Sequence, residues 1–490
     1  MIEKNNFKQK LSENLSKIEK MIGYEFTCLL LFYKAYSDKW EREFEEEKKK
    51  LIEIGWSEEE AIKEAASEYY HTFNFPQEYL WENIRRDPQG VVGKFSNAMK
   101  KLAELNPDYQ DVFSQFDFSR FSDSDKQKNL AESVELLSEF SFKEISTNII
   151  GEVYELILEN YAPEKPKEGK LYTSRDIIRL MIKLLDPKPE KSIYDPAAGF
   201  GGMLISAYKY ISSNYGNEEA KKIMLYGQEL DDTIYVLGKL NLMLHNIENV
   251  DFRKGDSILF PKFKEENFIK KFDYVISNPP WNQKDYNTND LKRGEHWRER
   301  FMYGLTTKKS ADWAWIQHML ASAKEKVAVV IDTGAVSRGK REKLIRQKII
   351  EDDLIESVVL IAEKVVSKKS TQAVIIVFNK NKATERKGKF LLINASKEFK
   401  PERSKNILSE ENIEKIVDVY RNFKEIKGLS RIITLEDVRE ADYNLSPSRF
   451  VSIAEEEEYR SIEEIKVELE RLEEERRMVE EKIIKILEKF

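Results

Sequence analysis

The chain has 490 residues, 34% of them charged and 41% hydrophobic, with a formal net charge of −7. At roughly 100–200 residues per domain this is a globular chain of two to four domains, not a disordered one. The single cysteine, Cys28, excludes a disulfide framework and a cysteine-built zinc site; the scattered His71, His245, His296 and His318 show no metal-ligand spacing, and the acidic balance excludes coating nucleic acid by bulk charge, though not a local basic groove.

The start, MIEKNNFKQK, leads into no apolar run, so no signal peptide is expected, and the longest apolar stretches, such as Phe26 to Tyr33, are far below the ~20 residues that span a bilayer. Together with the lone cysteine this predicts a cytoplasmic protein without membrane contact. Residues 1–160 read as a helical domain, with few glycines and prolines and with Leu11, Leu15, Ile18 and Ile22 three to four apart. The segment YAPEKPKEGK, 161–170, combines prolines, charge and glycine, and marks a boundary.

From 161 to 400 short β-rich runs alternate with helical stretches. The runs are Ser192–Tyr194, Ile223–Tyr226, Val250–Arg253, Phe272–Ser277, Lys326–Ile331, Ile355–Ile361, Gln372–Phe378 and Lys389–Ile393. This alternation predicts a parallel, doubly wound α/β sheet, with the last adjacent runs pairing antiparallel at its edge. From 401 to 490 the chain reads as a helical tail. Its last segment places Ile462, Ile465, Leu469, Leu472, Arg476, Val479, Ile483, Ile486 and Phe490 on one heptad seam amid Glu, Lys and Arg, which favours docking against a helix of a partner.

Four signals carry chemistry. After the first run come Asp195-Pro196-Ala197-Ala198-Gly199-Phe200-Gly201-Gly202, a glycine turn leading into a helix. It has no phosphate-loop lysine, and Asp195 repels a pyrophosphate while suiting a positive or hydrogen-donating ligand. Glu229, at the end of the second run, is placed for ribose hydroxyls, and Asp256, after the third, for an adenine amine. Three acids at successive strand ends predict an adenosine ligand without phosphates, S-adenosylmethionine. The fourth signal is Asn278-Pro279-Pro280-Trp281 directly after the run Phe272–Ser277. The Asn278 side-chain oxygen and the Pro279 carbonyl can accept both hydrogens of a planar amine and aim its lone pair at a methyl donor, and Trp281 offers a flat surface for stacking the ring that bears the amine.

The order of these motifs resembles the amino-group DNA methyltransferases that act on adenine N6, and residues about 10–450 resemble the modification subunit of type I restriction–modification systems. The carrying residues are Gly169-Lys170-Leu171-Tyr172-Thr173-Ser174-Arg175, Asp195 through Gly202, Tyr226-Gly227-Gln228-Glu229-Leu230 and Asn278 to Trp281; Asp312-Trp313-Ala314-Trp315, Gln317-His318-Met319-Leu320 and Asp442-Tyr443-Asn444-Leu445-Ser446-Pro447-Ser448-Arg449 match more weakly. The resemblance implies a Rossmann-like methyltransferase sheet and adds Lys170, Leu171, Tyr172, Thr173, Ser174, Arg175, Phe200, Gly201 and Gly202 to the cofactor contacts of Asp195, Ala197, Gly199, Glu229 and Asp256. It implies DNA as substrate, with the target base flipped into the pocket, and a specificity subunit docked through the C-terminal helix. A second copy of the chain belongs to the family's assembly, and a restriction subunit is left open. The chain departs from the family at Asp332–Gly339 and Val366–Thr371, where Pro-Asn-Gly and Gly-rich loops are usual, and has Ser174 where proline is common.

Other readings stay open from the sequence. Asn-Pro-Pro-aromatic also suits the amide of a protein glutamine, N4 of cytosine shares the same chemistry, a self-contained amino-DNA methyltransferase needs no partner, and a scaffold needs no turnover. A basic run from Arg338 to Lys348 offers phosphate contacts.

Overall fold

The computed structural model describes residues 2–161, 173–366, 372–403, 405–452 and 462–487. A nine-stranded sheet forms its centre: β1 Ser192–Asp195, β2 Met224–Glu229, β3 Val250–Lys254, β4 Phe272–Ser277, β5 Ala323–Asp332, β6 Ile355–Ile361, β7 Ala373–Asn379, β8 Lys389–Ala395 and β9 Ser430–Thr434. Their order across the sheet is β9-β8-β6-β7-β5-β4-β1-β2-β3. The strands β3, β2, β1, β4 and β5 are mutually parallel. Strands β6 and β7 have every side chain buried, as expected of near-continuous apolar runs covered on both faces.

The expected antiparallel pairing exists, but not at the edge. β7 runs antiparallel between β5 and β6, deep in the sheet, while β8 lies parallel to β6. β7 follows β6 after residues 362–372 and runs in the opposite direction beside it. The edge strand is β9, which pairs antiparallel with β8. It lies in the stretch that reads as helical from 401 onward; five residues, SRIIT, are too few to show a period.

Helices Arg175–Leu185, Gly202–Tyr215 and Asp232–Leu244 cover the first half of the sheet. The helix Arg175–Leu185 (RDIIRLMIKLL) buries Ile177, Ile178, Met181, Ile182 and both terminal leucines, starts at the Ser174 cap and stops at Asp186 in the left-handed region. The N-terminal helices Tyr24–Glu53 and Thr147–Tyr161 pack on the helix Asp232–Leu244, Ile2–Ile22 packs on those two, and all share one continuous apolar core with the sheet. Polar links cross the same boundary: Tyr36 Oη donates to the Met243 carbonyl at 2.9 Å, Tyr154 Oη to that of Leu237 at 3.0 Å, and Tyr235 Oη to Asp111 at 2.6 Å.

The helix Ile462–Leu487 carries the heptad seam. Of the seam, Leu469, Leu472 and Val479 are 54%, 51% and 54% exposed, so its apolar face is uncovered in the single chain. The side chains of Ile462, Ile465, Ile483 and Ile486, and all of Phe490, lie outside the described residues. Among the described residues no helix is long and apolar enough to cross a membrane.

Candidate active site

The sheet reverses its strand order between β1 and β4, and a crevice at the carboxyl ends of strands around such a point is where open α/β sheets bind ligands. Asp195 and Glu229 are the last residues of β1 and β2, and Asp256 and Asn278 lie just after β3 and β4.

Asp195 is 2% exposed. Its Oδ1 accepts from the Ser277 hydroxyl at 2.7 Å and from the Ala197 amide at 3.0 Å, tying the β1 turn to the last residue of β4. Burial pushes its carboxyl up to about 7; these two bonds oppose that shift, and the Glu229 charge adds to it. The turn runs through Gly199 (φ +55°) and Gly201 (φ +79°) before the helix Gly202–Tyr215 begins. Both are left-handed positions that favour glycine.

Glu229 binds that turn from below. Its Oε2 accepts from the Gly199 amide at 2.9 Å, and its Oε1 from the amides of Leu230 and Asp231, each at 2.9 Å. Burial still raises its carboxyl above the ordinary range. Buried Asp195 and half-buried Glu229, with no ion pair to a described cation, leave two carboxyls at this edge that fit a ligand carrying positive charge and hydroxyls. Asp256 closes its own loop, accepting from the amides of Ile258 and Leu259 at 2.8 and 2.9 Å and from Tyr286 Oη at 3.1 Å.

Asn278 is held at both ends of its amide. Trp281 Nε1 donates to Asn278 Oδ1 at 2.8 Å, and Asn278 Nδ2 donates to Thr173 Oγ1 at 2.8 Å. An indole N–H can only donate, so it requires the amide oxygen on its side and assigns the orientation of the amide. Trp281 is 6% exposed, and its N–H also reaches the Val330 carbonyl at 3.2 Å. Through this N–H the residue orients Asn278. Pro279 is buried and Pro280 half-buried.

Of the segment before the glycine turn, Lys170, Leu171 and Tyr172 lie outside the described residues. Thr173 reaches Asn278, and Ser174 caps its helix. Arg175 turns elsewhere, donating to the Glu152 carbonyl and standing 3.6 and 3.8 Å from Glu155 and Glu159 of the helix Thr147–Tyr161. Phe200 is half-buried, and its carbonyl accepts from Asn241.

A brace behind the Asn278 turn is not visible in the sequence motifs taken singly. Asp312, fully buried, accepts the Asn282 amide at 2.8 Å and pairs with Arg338, whose Nη1 donates to Asn282 Oδ1 at 2.7 Å and to Asp332 at 3.1 Å. Trp313 Nε1 donates to the Ala335 carbonyl and Trp315 Nε1 to Gln283 Oε1. The weakly matching Asp312-Trp313-Ala314-Trp315 run thus fastens both the Asn278 turn and the altered loop 332–339. The Asp442–Arg449 segment locks the same loop: Leu445 N donates to the Val336 carbonyl, and Arg346 Nε to that of Tyr443.

Thr173 is a positioning residue in this geometry. Thr173→Val keeps its shape but leaves Asn278 Nδ2 without an acceptor, so kcat is expected to fall about tenfold, the equivalent of one lost hydrogen bond of about 1–1.5 kcal/mol. Thr173→Ser is expected to restore it. Single-turnover kinetics on the two variants checks this; equal rates for valine and serine would remove Thr173 from that role.

The N-6 DNA Methylase family matches residues 145–459, and the HsdM N-terminal domain matches residues 23–137. The type I restriction enzyme MjaVII methylase subunit of Methanocaldococcus jannaschii is 39% identical over 469 residues, 93% of this chain and 79% of that one. The MjaVIII methylase subunit of the same organism is 37% identical over 94% of this chain and 80% of its own length. Among solved structures, the type I restriction–modification methyltransferase subunit of Streptococcus thermophilus superposes with a TM-score of 0.77 at 22% identity, over 91% of this chain and 99% of that one, which shows a shared fold.

Proposed function

Since this chain belongs to the N-6 DNA methylase family, as a methylase subunit of the type I restriction kind, we propose that it methylates N6 of an adenine flipped out of duplex DNA. S-Adenosylmethionine is the proposed cofactor, and a specificity subunit supplies target choice. The observation that carries this reading is the Asn278 amide, oriented by Trp281 and Thr173 on the same strand edge as buried Asp195 and half-buried Glu229. The family match favours a DNA base over a protein glutamine amide.

S-Adenosylmethionine, when bound, supplies an electrophilic methyl group on a sulfonium. The residues proposed to hold it are Asp195, Glu229 and the Ala197–Gly202 turn, with Asp256 and the Lys170–Arg175 segment at its borders. The two carboxyls favour a positively charged ligand, and the glycine turn allows close approach of the backbone. Asn278 Oδ1 and the Pro279 carbonyl accept the two amine hydrogens of adenine, which raises electron density on the nitrogen and directs its lone pair away from the ring. Neither group can take the proton, so it passes to water as the methylated nitrogen becomes acidic. Asp312 and Arg338 keep the turn rigid, so Asn278 meets the base without a reorganisation cost.

The exposed seam of Ile462–Leu487 is the proposed docking helix for the specificity subunit. Methyl transfer from labelled S-adenosylmethionine to unmethylated DNA, with and without that subunit, tests the reading. Label in N6-methyladenine only with the subunit present supports it. Label with the chain alone would overturn the borrowed specificity, and cofactor binding without any label in DNA would overturn the function.

Asp195 gives a pH signature. A cationic ligand prefers its ionised form, so cofactor affinity is expected to fall as pH drops below about 7, approaching tenfold per unit. Asp195→Asn, which keeps an Oδ1 for Ser277 and Ala197, should show a flat profile by calorimetry. The same raised carboxyl stabilises the fold only while protonated: its contribution is complete below the unfolded value near 4 and is lost as pH rises through about 7.

A further inference from the structure

The basic run Arg338–Lys348 is largely turned inward. Arg338 pairs with Asp312, Asp332 and Glu342, Arg346 is buried against three backbone carbonyls, and Lys343 pairs with Asp442. Lys340, Arg341 and Lys348 stay exposed, and the structure sets the first two beside another group of cations. Residues 282–311 fold over a small core of their own that includes Tyr286, Leu291, Phe301 and Trp315. Arg341 Nη1 donates to Thr288 Oγ1 at 3.0 Å, Ala311 N to the Gln283 carbonyl at 2.9 Å, and Arg338 to Asn282 as above. Lys284, Lys308, Lys309, Lys340 and Arg341 all stand within three residues of these joined groups, and all five are exposed.

None of the five forms an ion pair with a described residue. Elsewhere, exposed Lys221, Lys222 and Lys101 pair with Glu218, Glu219 and Glu104. The exposed carboxylate beside the five is Asp285, which holds Gln283 Nε2. On a chain of net charge −7 this is a local concentration of free positive charge. It is also fixed in place, because Asn282 follows Trp281 directly and is clamped by Asp312 and Arg338.

Unneutralised cations that repel one another on a rigid platform fit a polyanion with regularly spaced charges. We infer that Lys284, Lys308, Lys309, Lys340 and Arg341 bind the phosphates of the DNA strand whose base enters the Asn278 pocket. The inference rests on the methyl-transfer reading and adds to it the surface that grips the backbone. Extruding a nucleotide requires its flanking phosphates to be held while the base leaves the stack. Contacts of this kind are indifferent to sequence, which suits a subunit whose target choice comes from a partner.

The test uses the full chain assembled with its specificity subunit and an unmethylated linear plasmid duplex. The Lys284→Gln, Lys308→Gln, Lys309→Gln triple variant is expected to lower the slope of log affinity against log salt by about three and DNA affinity about tenfold or more. KM for DNA should rise while cofactor affinity holds, and the corresponding triple Lys→Arg variant should recover the slope. An unchanged slope and KM in a complex that still transfers methyl would overturn this surface and leave the function standing. An unsubstituted complex that binds cofactor yet methylates no DNA would overturn the function, and this surface with it.

Discussion

Replacing Asn278 with alanine should lower methyl transfer at least about 10²–10³-fold, the size of effect seen when one preorganised hydrogen-bonding group is removed from a reacting centre. Cofactor affinity should stay within about twofold, because the groups around Asp195 and Glu229 are held by Ser277, Ala197, Gly199 and Leu230 and not by Asn278. Asn278→Asp should fall between wild type and alanine. The aspartate keeps an oxygen for Trp281 Nε1 and for the substrate amine, and the Thr173 hydroxyl can turn to donate where it now accepts. Rapid-quench measurement of one turnover, with calorimetry of the cofactor in parallel, separates the two effects. Alanine activity above a tenth of wild type would remove Asn278 from the reacting centre.

The second large effect lies at the other end of the chain. Leu472 and Val479 are half exposed on the seam of Ile462–Leu487. Burying two such side chains in a helix partner contributes about 3–6 kcal/mol, so Leu472→Asp with Val479→Asp should weaken binding of the specificity subunit by about 10²–10⁴-fold. The isolated chain should melt as before, since neither side chain belongs to the core. Titration of the subunit, followed by ultracentrifugation, reads the effect. Undiminished affinity would place the docking surface elsewhere.

Much of the site is legible in the sequence because its groups sit next to the strands that carry them. Asp195, Glu229, Asp256 and Asn278 each lie at or just after the carboxyl end of a short run of strand-forming residues, so their placement along one edge follows once the sheet is parallel. What escapes the sequence is decided by distant partners. That Asp312 holds Asn282 and Arg338, 30 and 26 residues away, depends on how the chain folds back, and no local pattern announces it. The same is true of Trp281, whose N–H on Asn278 and Val330 gives it an orienting role that its place in the motif does not announce. The antiparallel insertion of β7 and the edge strand β9 are also choices of neighbour: the burial of β7 is readable from its composition, but its direction and position are not.

The shared core of the N-terminal helices and the sheet bears on how a duplex could be enclosed. Among the described residues, Tyr36, Tyr154 and Tyr235 tie the two parts across the boundary, and one apolar interior is continuous through it. Swinging the helices away would open that interior to water, a cost far above thermal energy. Admitting DNA by parting these helices from the sheet is therefore disfavoured, and the two parts are expected to move as one stiff lever.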